Sequence, residues 1–198
     1  MIKAIAFDYG GVVEIEEGDL IREIADFLKI TKEDWHKAYY SLNHLCNTGK
    51  NTWQEVLAFV CKEFSASDAQ IAHVHEMIKE KKKTKKINLK LIEIIKDLKK
   101  KNYKIALLSN NSVNLRQKLV GQNIIDLFDE IIISGEVGCQ KPSPEIFEIL
   151  SNKLGLNKNE LIFVDNAEKS LERAEEIGFI PLLYINNEKL REELSRLV

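Results

Sequence analysis

The chain reads as an α/β protein, a doubly wound parallel sheet with a small all-helical cap, and three features of its 198 residues predict this. Short, nearly continuous apolar runs recur along it, and segments of helical periodicity separate the later runs. One long stretch after the first run holds helical patterns and no convincing strand.

The first run, residues 2–7 (IKAIAF), ends at Asp8 and is followed by Gly10-Gly11. An isoleucine-rich run that stops at a tight loop fits a strand buried on both faces. Similar runs fall at residues 103–108, 130–133, 161–164 and 181–185, with helical periodicity at 89–100, 144–154 and 168–177. Strands joined by helices cannot pair as hairpins, so the sheet is parallel. Residues 20–83 carry amphipathic helical patterns, with helix starts at Thr31, followed by Asp34, and in segment 65–68, and a turn at 47–50 around Gly49. The division expected is a core of residues 1–14 and 85–198 and a helical cap of residues 15–84.

A 44% hydrophobic and 30% charged composition suits a globular core with a wet surface, and the net charge of -2 argues against a nucleic-acid partner. The basic run 79–86 (KEKKKTKK) reads as a solvated helix end or linker. Cys46, Cys61 and Cys139 are odd in number and lack CxxC spacing, so they read as reduced thiols, outside any disulfide framework or zinc site. The apolar N-terminal stretch is cut by Asp8, which excludes a signal peptide or membrane span there. A cytoplasmic protein without a membrane partner, monomer or homodimer, is expected.

In open parallel sheets ligands bind beyond the carboxyl ends of the strands. Four polar positions fall at such ends: Asp8, Ser109-Asn110, Lys141 in GCQKPSPEIF, and Asp165-Asn166. Singly, each is an ordinary cap or a solvated charge. Together they supply a nucleophile, a hydroxyl, a cation and a second carboxylate, the set phosphoryl transfer needs.

FDYGGVV, LLSN, KPSPEIF and FVDN, in that order, resemble the four signature motifs of the haloacid dehalogenase (HAD) superfamily, over nearly the whole chain. The resemblance implies a HAD-like Rossmannoid core of strand order 5-4-1-2-3 with a helical cap inserted after the first motif. It also implies a magnesium-dependent phosphatase acting on a small phosphorylated substrate, such as a sugar phosphate, through an aspartyl-phosphate. Asp8 is then nucleophile and metal ligand, with Asp165 and the Gly10 carbonyl as further Mg2+ ligands. Ser109, Asn110, Gly11 and Lys141 would bind the phosphoryl group, Ser109 and Lys141 also serving catalysis.

Gly10 departs from the family pattern, standing where most family phosphatases carry a second aspartate that protonates the leaving group. Such acid-base help is worth roughly 10² to 10⁴ in rate, so good leaving groups suffer least from its loss. Glu14 and Glu16 follow closely enough to substitute, although solvated side chains are the simpler reading. Asn166 replaces a frequent second aspartate in the fourth motif. Trp35, His36, Tyr39, Tyr40, His44 and Trp53 read as cap core rather than catalytic groups. Two alternatives stand beside the phosphatase: a metal-free dehalogenase using the same aspartate, and an attenuated binding or regulatory module.

Overall fold

In the computed structural model, which describes residues 1–16 and 18–198, the five apolar runs form one five-stranded sheet. Its strands are β1 (Ala4–Phe7), β4 (Lys104–Ser109), β5 (Glu130–Ile133), β6 (Leu161–Asp165) and β7 (Ile180–Leu183); β2 (Glu14–Ile15) and β3 (Lys86–Ile87) make a separate short ribbon. Every pairing in the large sheet is parallel, in the order β5-β4-β1-β6-β7. Counting its strands alone, this is the expected 5-4-1-2-3 read from the opposite edge.

Alternate residues of each strand face opposite layers, and both layers are apolar. One layer joins Ile5, Phe7, Ile105, Leu107, Ile162 and Val164 to α6 (Leu89–Lys100), α7 (Leu115–Gly121) and α11 (Asn187–Leu197). The other joins Ala4, Ala6, Ala106 and Phe163 to α9 (Pro144–Leu154) and α10 (Glu168–Glu176), after the single turn α8 (Ser134–Val137). The small alanines on that face leave room for aromatic packing, and Phe147 meets Phe163 and Phe179 edge-on at 5.4 and 5.6 Å. Helices α7, α8 and α11 were not among the periodic segments; two of them are only seven and four residues long.

The chain divides into two compact units, Met1–Ile15 with Ile87–Val198, and Glu16–Lys86. The second holds α1 (Leu20–Leu28), α2 (Lys32–Leu42), α3 (His44–Asn47), α4 (Trp53–Glu63) and α5 (Asp68–Thr84). Their starts follow local chemistry: Thr31 accepts the Asp34 N–H, and Thr52 with Glu55 and Ser67 with Gln70 close capping boxes. Trp35 is buried with Ile24, Val60 and Val74, and Tyr39 and Trp53 pack against that cluster. Tyr40 is exposed and stacks on His36, and His44 is exposed, so these two depart from the cap-core reading. Much of the basic run is paired inside this unit: Lys79 with Glu76, Lys81 with Glu23, Lys83 with Glu80, Lys85 with Glu16, and Lys82 over the Trp53 ring. Among the described residues no helix is long and apolar enough to cross a membrane.

Candidate active site

The carboxyl ends of β1 and β6 lie side by side because Phe7 is in register with Val164, and the Asp8 N–H continues the ladder to the Val164 carbonyl at 2.9 Å. Asp8 and Asp165 therefore leave the sheet as neighbours. Lys141, on the loop between α8 and α9, places its Nζ between them, donating to Asp8 Oδ1 at 2.8 Å and Asp165 Oδ2 at 2.6 Å. All three side chains are buried, Asp165 to 1% exposure. Asp165 Oδ1 also accepts the Ala167 N–H at 2.9 Å, which fixes the carboxylate's rotation.

Burial pushes the Asp8 pKa up; Lys141 pulls against it, and the Asp165 charge adds to the rise. Burial alone would lower Lys141, but the two carboxylates outweigh it and hold the ammonium above its ordinary range. The site thus holds a charged lysine between two buried carboxyl groups. An unpaired carboxylate is costly in such surroundings, and a cation offsets that cost.

Backbone contacts hold Lys141 in place. Asn110, just past β4, gives its Nδ2 hydrogen to the Lys141 carbonyl and takes the Lys141 N–H on Oδ1, both at 2.8 Å. Ser109 is buried at the tip of β4, one strand from β1. The next residue, Asn111, is tied by its N–H to Ser134 Oγ at 2.9 Å and by its carbonyl to the Gly135 N–H at 3.0 Å. A Cβ on Gly135 would stand 2.9 Å from that carbonyl, so only glycine allows the two loops to meet so closely.

The turn after Asp8 corrects two expectations. The Gly11 N–H already donates to the Glu14 carbonyl at 2.7 Å, so that amide is turned to the turn itself and not to substrate. Gly11 has φ +80, and a Cβ there would lie 2.5 Å from Asn166 Nδ2, which accounts for the glycine. Glu14 is buried, not solvated: Lys118 ion-pairs with it at 2.6 Å and the Tyr9 hydroxyl donates to it at 2.9 Å. Glu16 is exposed and pairs with Lys85. Gly10 is exposed and would have nothing within 4 Å of an added Cβ.

Sequence reasoning missed Asn88, whose Nδ2 reaches the Val12 carbonyl at 3.0 Å and the Tyr184 hydroxyl at 2.7 Å while Asn187 donates to its Oδ1. An asparagine before a periodic helix signals a cap, and Asn88 does accept the Leu91 N–H. Its contacts with residues about a hundred positions away carry no local signal. The Asn110 side-chain role was missed for the same reason.

The donor set suits magnesium, which binds through one or two carboxylates with water and phosphate completing its shell. Two buried carboxyl groups on neighbouring strand tips meet that need. Among the described residues no cluster of three or more His, Cys, Asp or Glu forms.

A family model described as haloacid dehalogenase-like hydrolase matches residues 2–178. The D-ribitol-5-phosphate phosphatase of Bacteroides thetaiotaomicron is 26% identical, the match covering 98% of each chain. Bifunctional epoxide hydrolase 2 of Rattus norvegicus is 25% identical over 73% of this chain, which spans only 28% of that longer protein. Among solved structures, the HAD family enzyme bt-2542 of Bacteroides thetaiotaomicron, in complex with magnesium and inorganic phosphate, has a TM-score of 0.62 at 23% identity, covering 92% of this chain and 94% of that one.

The buried triad has a measurable signature. Lys141→Met leaves the Asp8 charge buried without its partner and should cost about 3–5 kcal/mol near pH 8, as for other broken buried pairs. Losing the lysine raises the Asp8 pKa further, so the folded state binds a proton more readily than the unfolded one. Stability of the variant should therefore recover as pH falls toward 5. Urea unfolding at both pH values checks this; an equal deficit at each would show that Asp8 carries no buried charge.

Proposed function

This chain belongs to the haloacid dehalogenase-like hydrolase family, and on that premise we propose that it is a magnesium-dependent phosphatase acting on a small phosphorylated metabolite such as a sugar phosphate. The observation that carries the reading is the Lys141 ammonium shared by Asp8 and Asp165. A lone carboxylate facing a phosphate ester is repelled by it. A carboxylate flanked by a lysine and by a second acid able to hold a divalent cation is not.

Asp8, Asp165 and the Gly10 carbonyl are the residues that would hold magnesium. When bound, the metal screens the repulsion between carboxylate and phosphate and orients the phosphoryl group. Asp8 attacks phosphorus, the bond to the leaving oxygen breaks as that oxygen takes a proton from solvent water, and an aspartyl-phosphate forms. Water then attacks the phosphorus of that intermediate and gives up its proton to solvent, releasing inorganic phosphate and restoring the Asp8 carboxylate. Ser109 donates its hydroxyl hydrogen, and Asn110 its backbone N–H, to phosphoryl oxygens that gain charge during transfer. Lys141 balances charge on Asp8 and the phosphoryl group, held there by the Asn110 side chain.

The names of the Bacteroides relatives, a D-ribitol-5-phosphate phosphatase and an enzyme solved with magnesium and phosphate, support the substrate class and the metal. The dehalogenase reading needs no cation, and it leaves the second buried carboxylate beside the nucleophile with no metal to hold. The attenuated-module reading rested on Gly10, yet a buried charged triad is costly to keep without a ligand.

Two substitutions test the chemistry. Asp8→Asn should abolish magnesium-dependent release of phosphate from a panel of sugar phosphates and acyl phosphates, a loss of at least about 10³-fold given a removed nucleophile; turnover equal to wild type would overturn the assignment. Gly10 has open space for a side chain. Gly10→Asp should therefore fold normally and raise turnover of poor leaving groups by about 10², compared by steady-state kinetics with good ones. An unchanged or lower rate would count against a missing general acid.

A further inference from the structure

A third buried acid lies in the turn that follows the nucleophile, and none of the proposed chemistry uses it. The Glu14 side chain is 5% exposed and its two oxygens lie 2.6 and 2.8 Å from Lys118 Nζ, on α7. The Tyr9 hydroxyl donates to Glu14 Oε1 at 2.9 Å and lies 3.0 Å from Gln122 Oε1, while Gln122 Nε2 donates to Glu14 at 3.2 Å. Val12 and Val13 beside it are fully buried.

Stability alone does not account for a carboxylate here. Glu14 is buried but Lys118 is 43% exposed, so solvent screens the ion pair and its contribution to stability is modest. What the acid adds is direction. The Glu14 N–H donates to the Tyr9 carbonyl at 2.8 Å and its carbonyl accepts the Gly11 N–H at 2.7 Å, so its backbone closes both ends of the turn. Its side chain then fastens that closed turn to α7 and accepts the hydroxyl hydrogen of Tyr9, the residue next to Asp8.

We propose that Glu14 is a positioning residue: through Lys118 and Tyr9 it locks residues 8–14 so that the Asp8 carboxylate and the Gly10 carbonyl keep the spacing a small divalent cation demands. This rests on the magnesium reading above. Magnesium tolerates little departure from octahedral geometry, so a loosened turn weakens its binding before it unfolds anything.

The test compares the full chain with Glu14→Gln, which keeps the shape and removes the charge, with Lys118→Met, and with Lys118→Arg. Calorimetric titration of magnesium alone should show affinity about tenfold weaker in the first two, the scale seen when supports behind metal ligands are removed. Steady-state kinetics should show kcat lower by a similar factor and KM little changed. Hydrogen exchange of residues 8–14 in metal-free protein should be several-fold faster, with the urea midpoint nearly unmoved, and Lys118→Arg should behave as wild type. If wild type binds magnesium and the substitutions leave affinity, kcat and exchange unchanged, the proposal is overturned while the phosphatase reading stands. If these quantities change only in step with a falling urea midpoint, and Lys118→Arg fails to restore them, Glu14 is merely structural and the proposal is likewise overturned. If wild type binds no magnesium, the phosphatase reading fails and the proposal fails with it.

Discussion

One ammonium shared by two carboxylates organises this molecule. Lys141 Nζ, within 2.8 Å of Asp8 and 2.6 Å of Asp165, lets two acids stand buried on adjacent strand tips where their mutual repulsion would otherwise drive one to take up a proton. The sheet order makes the arrangement possible. β1 is central, with β4 on one side and β6 on the other, so residues distant in sequence converge where the direction of winding reverses.

The surrounding structure limits how far these groups can move. Both faces of the sheet are covered by helices, and the central strands are buried along their whole length, so the strand tips sit on a rigid platform. Asn110 clamps the backbone of Lys141, Gly135 lets that clamp's loop pack against α8, and Asn88 links the Val12 carbonyl to Tyr184 and Asn187. Asn110 and Asn88 are polar groups with their partners satisfied, the condition under which buried polar contacts rigidify a site. Gly10 is the exception, exposed and with open space beside it at the position where a general acid would stand.

Much of the fold was legible because parallel sheets advertise themselves. Strands buried on both faces give unbroken apolar runs, and helices 89–100 and 144–154 repeat their apolar residues over three turns, long enough to read. Helices α7 and α8 are too short for periodicity to register, and their places depend on tertiary packing. At the site, residue types at strand ends pointed to Asp8, Ser109, Lys141 and Asp165. The bonds that orient them did not show. Glu14 looks like a surface residue in sequence, since nothing local reveals that Lys118, about a hundred positions on, meets it. The Gly11 amide illustrates the converse, a suitable residue type whose hydrogen bond a neighbouring carbonyl had already taken.

Crystals soaked with magnesium and a phosphate mimic test the central claim most directly. A cation about 2.0–2.1 Å from one oxygen of Asp8 and one of Asp165, with Lys141 still touching Asp8 and the mimic beyond it, is the predicted result. Two carboxylates turned away from each other, with the cation bound elsewhere or not at all, would contradict it.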